Sequence, residues 1–254
     1  MSRSKGGRLL RQVHAAYVIA KKDAVIYYLK PPVVSFGVIF PIFFYLAFAA
    51  GRDLPVSVMI PGIVSMALFF TASAVGPLVT PWERQAKTWE RLVTSPASLW
   101  AIVAGDVSAG MAFGALLSLV PIALGVGLAG AQIASVGEII LGVTLGALAF
   151  SSLGVLMAAP ATDTPSQVMM LSNLVRLPLI FVSGVFVPLA EMPTWGQWLA
   201  PFSPLSYSAD LIRAGFGGVR YFPTVTSVAV LLGFSAGFLV LTRVLHRATQ
   251  SRAR

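Results

Sequence analysis

The side chains best suited to recognition chemistry in this sequence lie in one charged segment between two long apolar stretches. This segment, residues 82–96, reads WERQAKTWERLVTSP. Glu83 and Lys87 are four residues apart, as are Lys87 and Arg91, and this spacing places side chains on one face of a helix. The pattern predicts a short helix whose charged face pairs with groups on another molecule.

The same predicted helix has an apolar side formed by Trp89, Leu92 and Val93, and Pro96 is expected to end it. A charged helix with one apolar side is suited to dock in a groove of a soluble partner. The alternative interpretation is a solvated loop whose tryptophans anchor it at the membrane interface. These residues alone leave both interpretations open.

Arg176, with Asn173 one turn before it, lies in the middle of an otherwise apolar stretch. An arginine deep in a bilayer costs between about 2.5 and more than about 10 kcal/mol unless it faces protein or water, so we expect it to point inward. It either lines a pathway and attracts an anionic group, or pairs structurally with a carboxylate or with helix-end carbonyls. Asp106 is a possible partner if the depths match, whereas Glu138 and Asp163, near loop ends, are expected to be solvated.

A third set of residues interrupts the chain after Arg176 with prolines and aromatic side chains. Its members are Ser183, Gly184, Pro188, Pro193, Trp195, Pro204, Tyr207 and Arg213. Prolines exclude a continuous helix, and tryptophans favour the membrane interface. The pattern predicts a re-entrant hairpin of two short helices over residues 188–222. This hairpin is either an extracellular gate for a lipid-like substrate or a lid that caps the bundle.

Motifs for catalysis or nucleotide binding are absent from the sequence. No lysine follows a glycine, so there is no P-loop to hold nucleotide phosphates. Histidine occurs only at His14 and His246, and there is no cysteine, which excludes a histidine-rich or thiolate metal site. We therefore expect a chain that is not an enzyme and binds no metal or cofactor. If it drives transport, the energy comes from a separate subunit.

The elements that position these residues are predicted to be membrane-spanning helices. Hydrophobic residues make up 57% of the chain and charged residues 11%, with a mean hydropathy of +0.84; roughly 25% of residues are charged in soluble domains. Several stretches exceed the ~20 apolar residues needed to cross a bilayer. We predict spans at residues 33–50, 56–80, 101–130, 136–159, 166–187 and 223–244. The predicted fold is an all-α integral membrane domain over residues 33–244, without an internal repeat of the kind found in inverted-repeat secondary transporters.

The distribution of basic residues predicts the orientation. Fourteen of the eighteen lysines and arginines lie in three segments, residues 1–32, 81–100 and 243–254, which the six-span topology places on one side. The positive-inside rule puts that side, and both termini, in the cytoplasm. The net charge of +9 therefore reflects cytoplasmic loops, and no nucleic-acid partner is expected.

Residues 1–32 are predicted to form an amphipathic helix that lies on the membrane and packs against the bundle. Leu9, Val13 and Tyr17 recur at helical spacing among basic residues. The alternative is a loosely ordered basic tail held by anionic lipid. A second basic tail is predicted at residues 245–254.

This plan resembles the membrane subunits of type-2 ATP-binding-cassette exporters. At the place of residues 83–96, these permeases commonly carry E-R-x-x-G-T-L-E-x-L-L-x-T-P. The chain matches at Glu83, Arg84, Thr88, Glu90, Leu92 and Pro96, and departs at Lys87, Trp89 and Val93. It also matches the family's S-G-x-x-x-P and its later marks at Pro193, Trp195, Pro204, Tyr207 and Arg213. Length and plan are most similar to daunorubicin-type drug-resistance permeases and to nodulation-factor and polysaccharide exporters.

The resemblance implies a permease of the bacterial plasma membrane that exports an amphipathic drug, a lipid or a lipid-linked glycan. The implied partners are two ATPase subunits, which hold ATP and magnesium, a second permease copy, and membrane lipids. The implied ATPase-coupling residues are Glu83, Arg84, Lys87, Thr88, Glu90, Arg91, Leu92 and Pro96. The alternatives are a non-transporting scaffold and an ion-coupled transporter or channel, which predicts several buried carboxylates.

Overall fold

The computed structural model describes residues 5–28, 35–51, 56–95, 97–159 and 164–252, and the regular secondary structure of this part is entirely helical, without a strand. The α-helices are α1 (Lys5–Asp23), α2 (Phe40–Gly51), α3 (Val56–Ala72), α4 (Val75–Gln85), α5 (Thr88–Thr94), α6 (Leu99–Gly127), α7 (Val136–Ala158), α8 (Pro165–Val182), α9 (Thr194–Leu199), α10 (Pro204–Gly215) and α11 (Thr224–Arg252). Single π- or 3₁₀-helical turns occur at Ala24–Tyr28, Ser35–Ile39, Leu189–Glu191 and Ala200–Phe202.

Five segments are long and apolar enough to cross a membrane. They are Val56–Gln85, Leu99–Gly127, Val136–Ala158, Pro165–Val182 and Thr224–His246, and they correspond to the second to sixth predicted spans. The chain is therefore a multi-pass membrane protein. At the first predicted span, the turn Ser35–Ile39 runs into α2, and residues 33–34 lie outside the described part.

The ends of α8 and α11 differ from the predicted boundaries. Helix α8 ends at Val182, five residues before the predicted end, because the chain turns at Gly184, which has a φ of +75°. Helix α11 continues to Arg252. The basic segment predicted after residue 244 is therefore a helical extension of the last span through Arg252.

Helix α7 is the centre of the bundle and packs against α3, α4, α6, α8, α10 and α11. Its partners approach closely because small residues recur along it. On one side, the rings of Phe69 and Phe150 meet edge to face at 4.9 Å. On the other, the Ser208 hydroxyl of α10 donates to the Gly142 carbonyl at 2.9 Å. Helices α3 and α10 are consequently almost completely buried.

The N-terminal helix α1 packs against α6, as its amphipathic pattern predicts. A Cβ atom on Gly105 would lie 2.8 Å from the Ala16 carbonyl and from Ile19, so the two helices touch backbone to backbone. Leu9 and Tyr17 on the opposite side are exposed. That side is free to meet the lipid interface. The end of the predicted segment, residues 29–32, lies outside the described residues.

The second predicted span is not one continuous helix, because α3 and α4 are separated by Ser73 and Ala74. The Ala74 N–H donates to the Thr71 carbonyl, and helical bonding resumes where the Leu78 N–H donates to the Ala74 carbonyl. Pro77 explains the break. It has no N–H to give to the Ser73 carbonyl four residues earlier, and its ring crowds that oxygen.

We predict that Gly76→Ala destabilises the fold, because a Cβ atom there would lie 1.9 Å from the Gly154 carbonyl of α7. Moving one backbone away from the other is expected to cost about 1–3 kcal/mol or more. Gly233→Ala in α11 is the matched control, since its Cβ would have nothing within 4 Å. That control should be neutral or stabilise by up to about 1 kcal/mol. Thermal unfolding in detergent measures both variants, and equal stability would contradict the close α4–α7 contact.

Candidate functional site

The charged segment folds as two helices joined by a tight turn, rather than as one helix with a charged face. Helix α4 ends at Gln85, Lys87 has a left-handed backbone with a φ of 55°, and α5 begins at Thr88. The Thr88 hydroxyl closes the turn by donating to the Glu83 carbonyl at 3.1 Å. The prediction that Glu83 and Lys87 share one helical face is therefore wrong, because the turn separates them.

The predicted ATPase-coupling residues divide into a buried base and an exposed tip. Glu83 is only 3% exposed, Arg84 is half-buried, and Lys87, Thr88 and Arg91 are exposed, with Leu92 half-buried beside them. Glu90 lies on α5, and Pro96 lies outside the described residues. Together α4, the turn at Lys87 and α5 form an arm, which we call the coupling arm.

Glu83 fixes the base of the coupling arm to the N-terminal helix. The Lys22 ammonium of α1 forms a salt bridge with the Glu83 carboxylate and lies 3.1 Å from the Asp23 carboxylate. The Asp106 carboxyl of α6 lies beside that of Asp23. Four charged side chains from three helices thus form one buried cluster, which we call the acid–lysine cluster.

The acid–lysine cluster has more acidic groups than basic ones. Burial raises the pKa of the Asp23 carboxyl, and the neighbouring Lys22 ammonium opposes that rise only in part. Burial alone would lower the pKa of Lys22, but the Asp23 and Glu83 carboxylates outweigh it and raise the pKa. Lys22 is therefore held charged, and it is the cation on which the buried carboxylates depend.

Sequence reasoning included Lys22 only as one of many basic residues and missed Asp23. The signal available was an adjacent Lys-Asp pair in an otherwise amphipathic helix. The partners could not be read from spacing, since Lys22 and Glu83 are 61 residues apart.

Arg176 is 7% exposed and donates from Nη2 to the Ser73 carbonyl at 2.5 Å. Of the interpretations left open, the structure contains the contact with a helix-end carbonyl. Asp106 does not serve as its partner, because it lies in the acid–lysine cluster. Asn173 is exposed and does not share the buried position of Arg176.

At the opposite end of the bundle, the predicted gate residues pin the turn after α8 to α10. Arg213 is buried and donates from Nη2 to the carbonyl of Gly184. Gly184 is required there, because a Cβ atom would lie 2.7 Å from the Leu189 side chain and the φ is positive. The Tyr207 hydroxyl donates to the Pro201 carbonyl at 3.2 Å, and its ring stacks on Phe222 at 4.5 Å.

The remaining gate residues have simpler roles. Ser183 donates to the Ile180 carbonyl at 2.7 Å. Pro188, Pro193 and Pro204 each precede or begin a short helical element, which agrees with the absence of a continuous helix. Trp195 is 62% exposed.

Asp210 is a buried carboxylate of this end that sequence reasoning missed. Its oxygens accept the backbone N–H groups of Tyr221 and Phe222, each at 2.9 Å, so it ties α10 to the start of α11. Burial raises its pKa, while those N–H groups and Arg213 oppose the rise. The available signal was an aspartate one helical turn before Arg213.

Arg213 also lines a cavity of about 280 Å³ at this end, together with Glu191, Arg220, Tyr221 and Ser57 among others. Arg220 bonds to the Glu138 carboxylate at 2.5 Å, and the Thr224 hydroxyl donates to the same oxygen at 3.0 Å. The expectation that Glu138 is merely solvated is therefore wrong. Asp163 lies outside the described residues.

Comparison with known proteins assigns the family. Residues 16–216 match the model of the ABC-2 type transporter. The chain belongs to the ABC-2 type transporter family. It is 27% identical over 217 residues to the inner membrane transport permease YadH of Escherichia coli K12, with 84% of each chain covered, and it shows the same identity and coverage to YadH of Shigella flexneri.

The left-handed backbone at Lys87 has an energetic cost that glycine at this position would not have. Lys87 stands where these permeases often carry glycine, and it is the one residue other than glycine with a positive φ in the described part of the chain. A left-handed backbone costs a residue with a side chain about 1–2 kcal/mol, whereas glycine adopts it freely. The turn in this chain therefore forms at the expense of local strain at Lys87.

We predict that Lys22→Met destabilises this permease by about 3–5 kcal/mol, because it leaves buried carboxylates without their cation. Lys21→Met is the matched control, since Lys21 is exposed, and it should change stability by less than about 0.5 kcal/mol. Thermal unfolding of both variants measures this difference. If Lys21→Met costs as much as Lys22→Met, the acid–lysine cluster does not hold α1 to the coupling arm.

Asp23 contributes to the pH dependence of that stability. Because the pKa of its carboxyl is raised in the fold, the folded state holds its proton more tightly than the unfolded chain. The stability gained from this proton is present below the ordinary pKa of aspartate and is lost as the pH rises through the raised value. Asp23→Asn should therefore flatten the fall in melting temperature between acid and neutral pH, and an unchanged slope would contradict this assignment.

We predict that Lys87→Gly stabilises the coupling arm by about 0.5–1 kcal/mol. The substitution removes the strain of a left-handed lysine, and the greater backbone entropy that glycine loses on folding offsets part of this gain. The same substitution at Lys21, inside α1, should destabilise by about 1 kcal/mol. Hydrogen exchange of the α5 amides is the measurement. Faster exchange in Lys87→Gly would show that the lysine side chain stabilises the turn.

Proposed function

We propose that this chain is the permease subunit of an ATP-binding-cassette exporter in a bacterial inner membrane. It moves an amphipathic drug, a lipid or a lipid-linked glycan outward, using ATP hydrolysed by two separate subunits. The family match over residues 16–216 and the relative named as an inner membrane transport permease support this proposal. A second permease copy completes the complex.

The observation that carries the ATPase assignment is the construction of the coupling arm. Its tip exposes Lys87 and Arg91, whereas its base is locked to α1 through Glu83 and Lys22. A charged tip on a fixed base can receive a displacement from a docked partner and pass it to the bundle. A solvated loop would need no buried ion pair at its base.

Residues of neighbouring helices lie beside the coupling arm. Arg84 of the arm lies near His246, and Arg243 stacks over the Trp100 ring at 5.3 Å. The C-terminal part of α11, α1 and the coupling arm thus share one end of the bundle. In our proposal this end is cytoplasmic, in agreement with the positive-inside rule.

At the other end, we propose that residues 188–222 form a re-entrant hairpin in the outer leaflet. Trp195, Trp198 and Phe202 are 62%, 75% and 74% exposed, as expected for aromatic side chains at an interface. Helix α10 beneath them is buried in the bundle. With α2 as the first span, the topology has six spans.

The transport step in this proposal is a change at the interface between two permease copies. Helices α8 and α11 expose large apolar side chains, among them Leu174, Leu177 and Val240, which lipid and the second copy would cover. Closure of the ATPase subunits pushes the coupling arms and shifts that interface between two states. The mechanism requires only that nucleotide binding differ in affinity between those states.

An ion-coupled transporter is the second candidate. Such a transporter is expected to have several buried carboxylates, and the structure has more of them than the sequence analysis identified. Asp23, Glu83, Asp106 and Asp210 are all buried. Three of them surround Lys22, however, and Asp210 accepts two backbone N–H groups. Each therefore has a structural partner, which favours the exporter.

We predict that Glu90→Lys on α5 lowers co-purification of co-expressed partner ATPase subunits by about tenfold, or ~1.4 kcal/mol of binding. Glu191→Lys is the matched control, because it reverses the same charge on an exposed residue at the hairpin end. It should leave co-purification unchanged. ATP hydrolysis by the complex is measured alongside.

The two candidate functions give opposite outcomes in vesicles. The exporter requires ATP and the ATPase subunits for substrate flux, and flux persists after the ion gradients are collapsed. Flux that continues without ATPase subunits and stops when a gradient is collapsed would contradict the exporter and favour ion coupling.

A further inference from the structure

The break between α3 and α4 leaves one backbone oxygen without its helical donor. In a continuous helix, the N–H of residue 77 would bond to the Ser73 carbonyl four residues earlier, and Pro77 has no N–H. Ala74 donates instead to the Thr71 carbonyl. Because this break lies within a buried apolar segment, water is not available as a substitute donor.

Arg176 supplies the missing donor from another helix. Its Nη2 atom reaches the Ser73 carbonyl at 2.5 Å. A charged guanidinium donor makes a stronger bond than a neutral amide. Gly154 leaves room for this arrangement, since a Cβ atom there would lie 2.5 Å from the same Ser73 oxygen.

The position of this bond connects the two ends of the molecule. Helix α4, which begins just after Ser73, carries the coupling arm. Helix α8, which carries Arg176, runs to Gly184, where Arg213 pins the turn into the hairpin. Helices α4 and α8 also pack directly against each other. A displacement of the coupling arm would therefore be passed to α8 at the break between α3 and α4, where Arg176 contacts Ser73.

We propose that Arg176 is a positioning residue that ties the Pro77 break to α8, so that movement of the coupling arm is passed to the helix leading to the hairpin. This role does not require Arg176 to contact the transported molecule. The bond itself can be tested on the chain alone, whereas its part in transport rests on the proposed exporter function.

The bond is tested by combining Arg176→Met with Pro77→Ala, which gives residue 77 an N–H for the Ser73 carbonyl. Thermal unfolding is measured for the single and double variants of the full chain. The fall in melting temperature caused by Arg176→Met should be at least halved in the Pro77→Ala background. Pro121→Ala, which alters another proline inside a buried part of a spanning helix, is the matched control and should leave that fall unchanged.

If Arg176→Met lowers the melting temperature by the same amount in the Pro77→Ala background as in the Pro121→Ala background and in the unaltered chain, the proposed role of the bond is overturned. If Arg176→Met alone does not fold, recovery of folded protein in the Pro77→Ala double variant, and not in the Pro121→Ala one, supports it. Failure of both double variants to fold would overturn it.

The positioning role is tested in the reconstituted complex by the amount of substrate moved per ATP hydrolysed. Arg176→Met should lower this ratio about fivefold or more, the lower end of coupling between linked sites, while the ATPase subunits still bind. Arg176→Lys, which keeps one charged donor, should recover much of it. An unchanged ratio in Arg176→Met with bound ATPase would overturn the positioning role. Loss of ATPase binding in the unaltered chain would instead overturn the exporter proposal.

Discussion

Backbone carbonyls at helix interruptions need donors, because hydrocarbon supplies none. In this protein two buried arginines meet that requirement at two interruptions. Arg176 donates to Ser73 between α3 and α4, and Arg213 donates to Gly184 where the chain turns after the end of α8. The irregular backbone at these two interruptions is tolerated through these two side chains. Both arginines therefore act on the protein's own backbone.

At both ends of the bundle, charged side chains fix one helix to another. At one end, Lys22 joins α1 to the base of the coupling arm and leaves the tip exposed. At the other, Asp210 accepts backbone N–H groups and fixes α10 to the start of α11, while Trp195 and Trp198 stay exposed. In each case a buried charged group makes a rigid base for an exposed element. Helix α7 connects the two bases, since small residues let α3, α4 and α10 approach it closely.

Hydropathy and proline spacing predicted the helices well, because a bilayer requires long apolar helices and the prolines after Gly184 exclude a longer one. The break at Ser73 was missed because Pro77 lies in an apolar run of ordinary appearance. The burial of Glu83 was missed because a four-residue spacing predicts a shared face only when the helix is continuous, and the left-handed turn at Lys87 interrupts it. The acid–lysine cluster joins three distant helices, and such contacts leave no local pattern.

The central claim is that the tip of the coupling arm docks on an ATPase subunit, and the absence of cysteine from the chain allows a direct test. A single cysteine is introduced at Arg91 on the arm, or at Trp198 of α9, and carries a short photoreactive cross-linker in membranes that also contain a co-expressed partner ATPase. The account predicts a cross-link to the ATPase from position 91 and none from position 198. A cross-link from position 198 alone, or from neither position in a complex that still co-purifies, would contradict it.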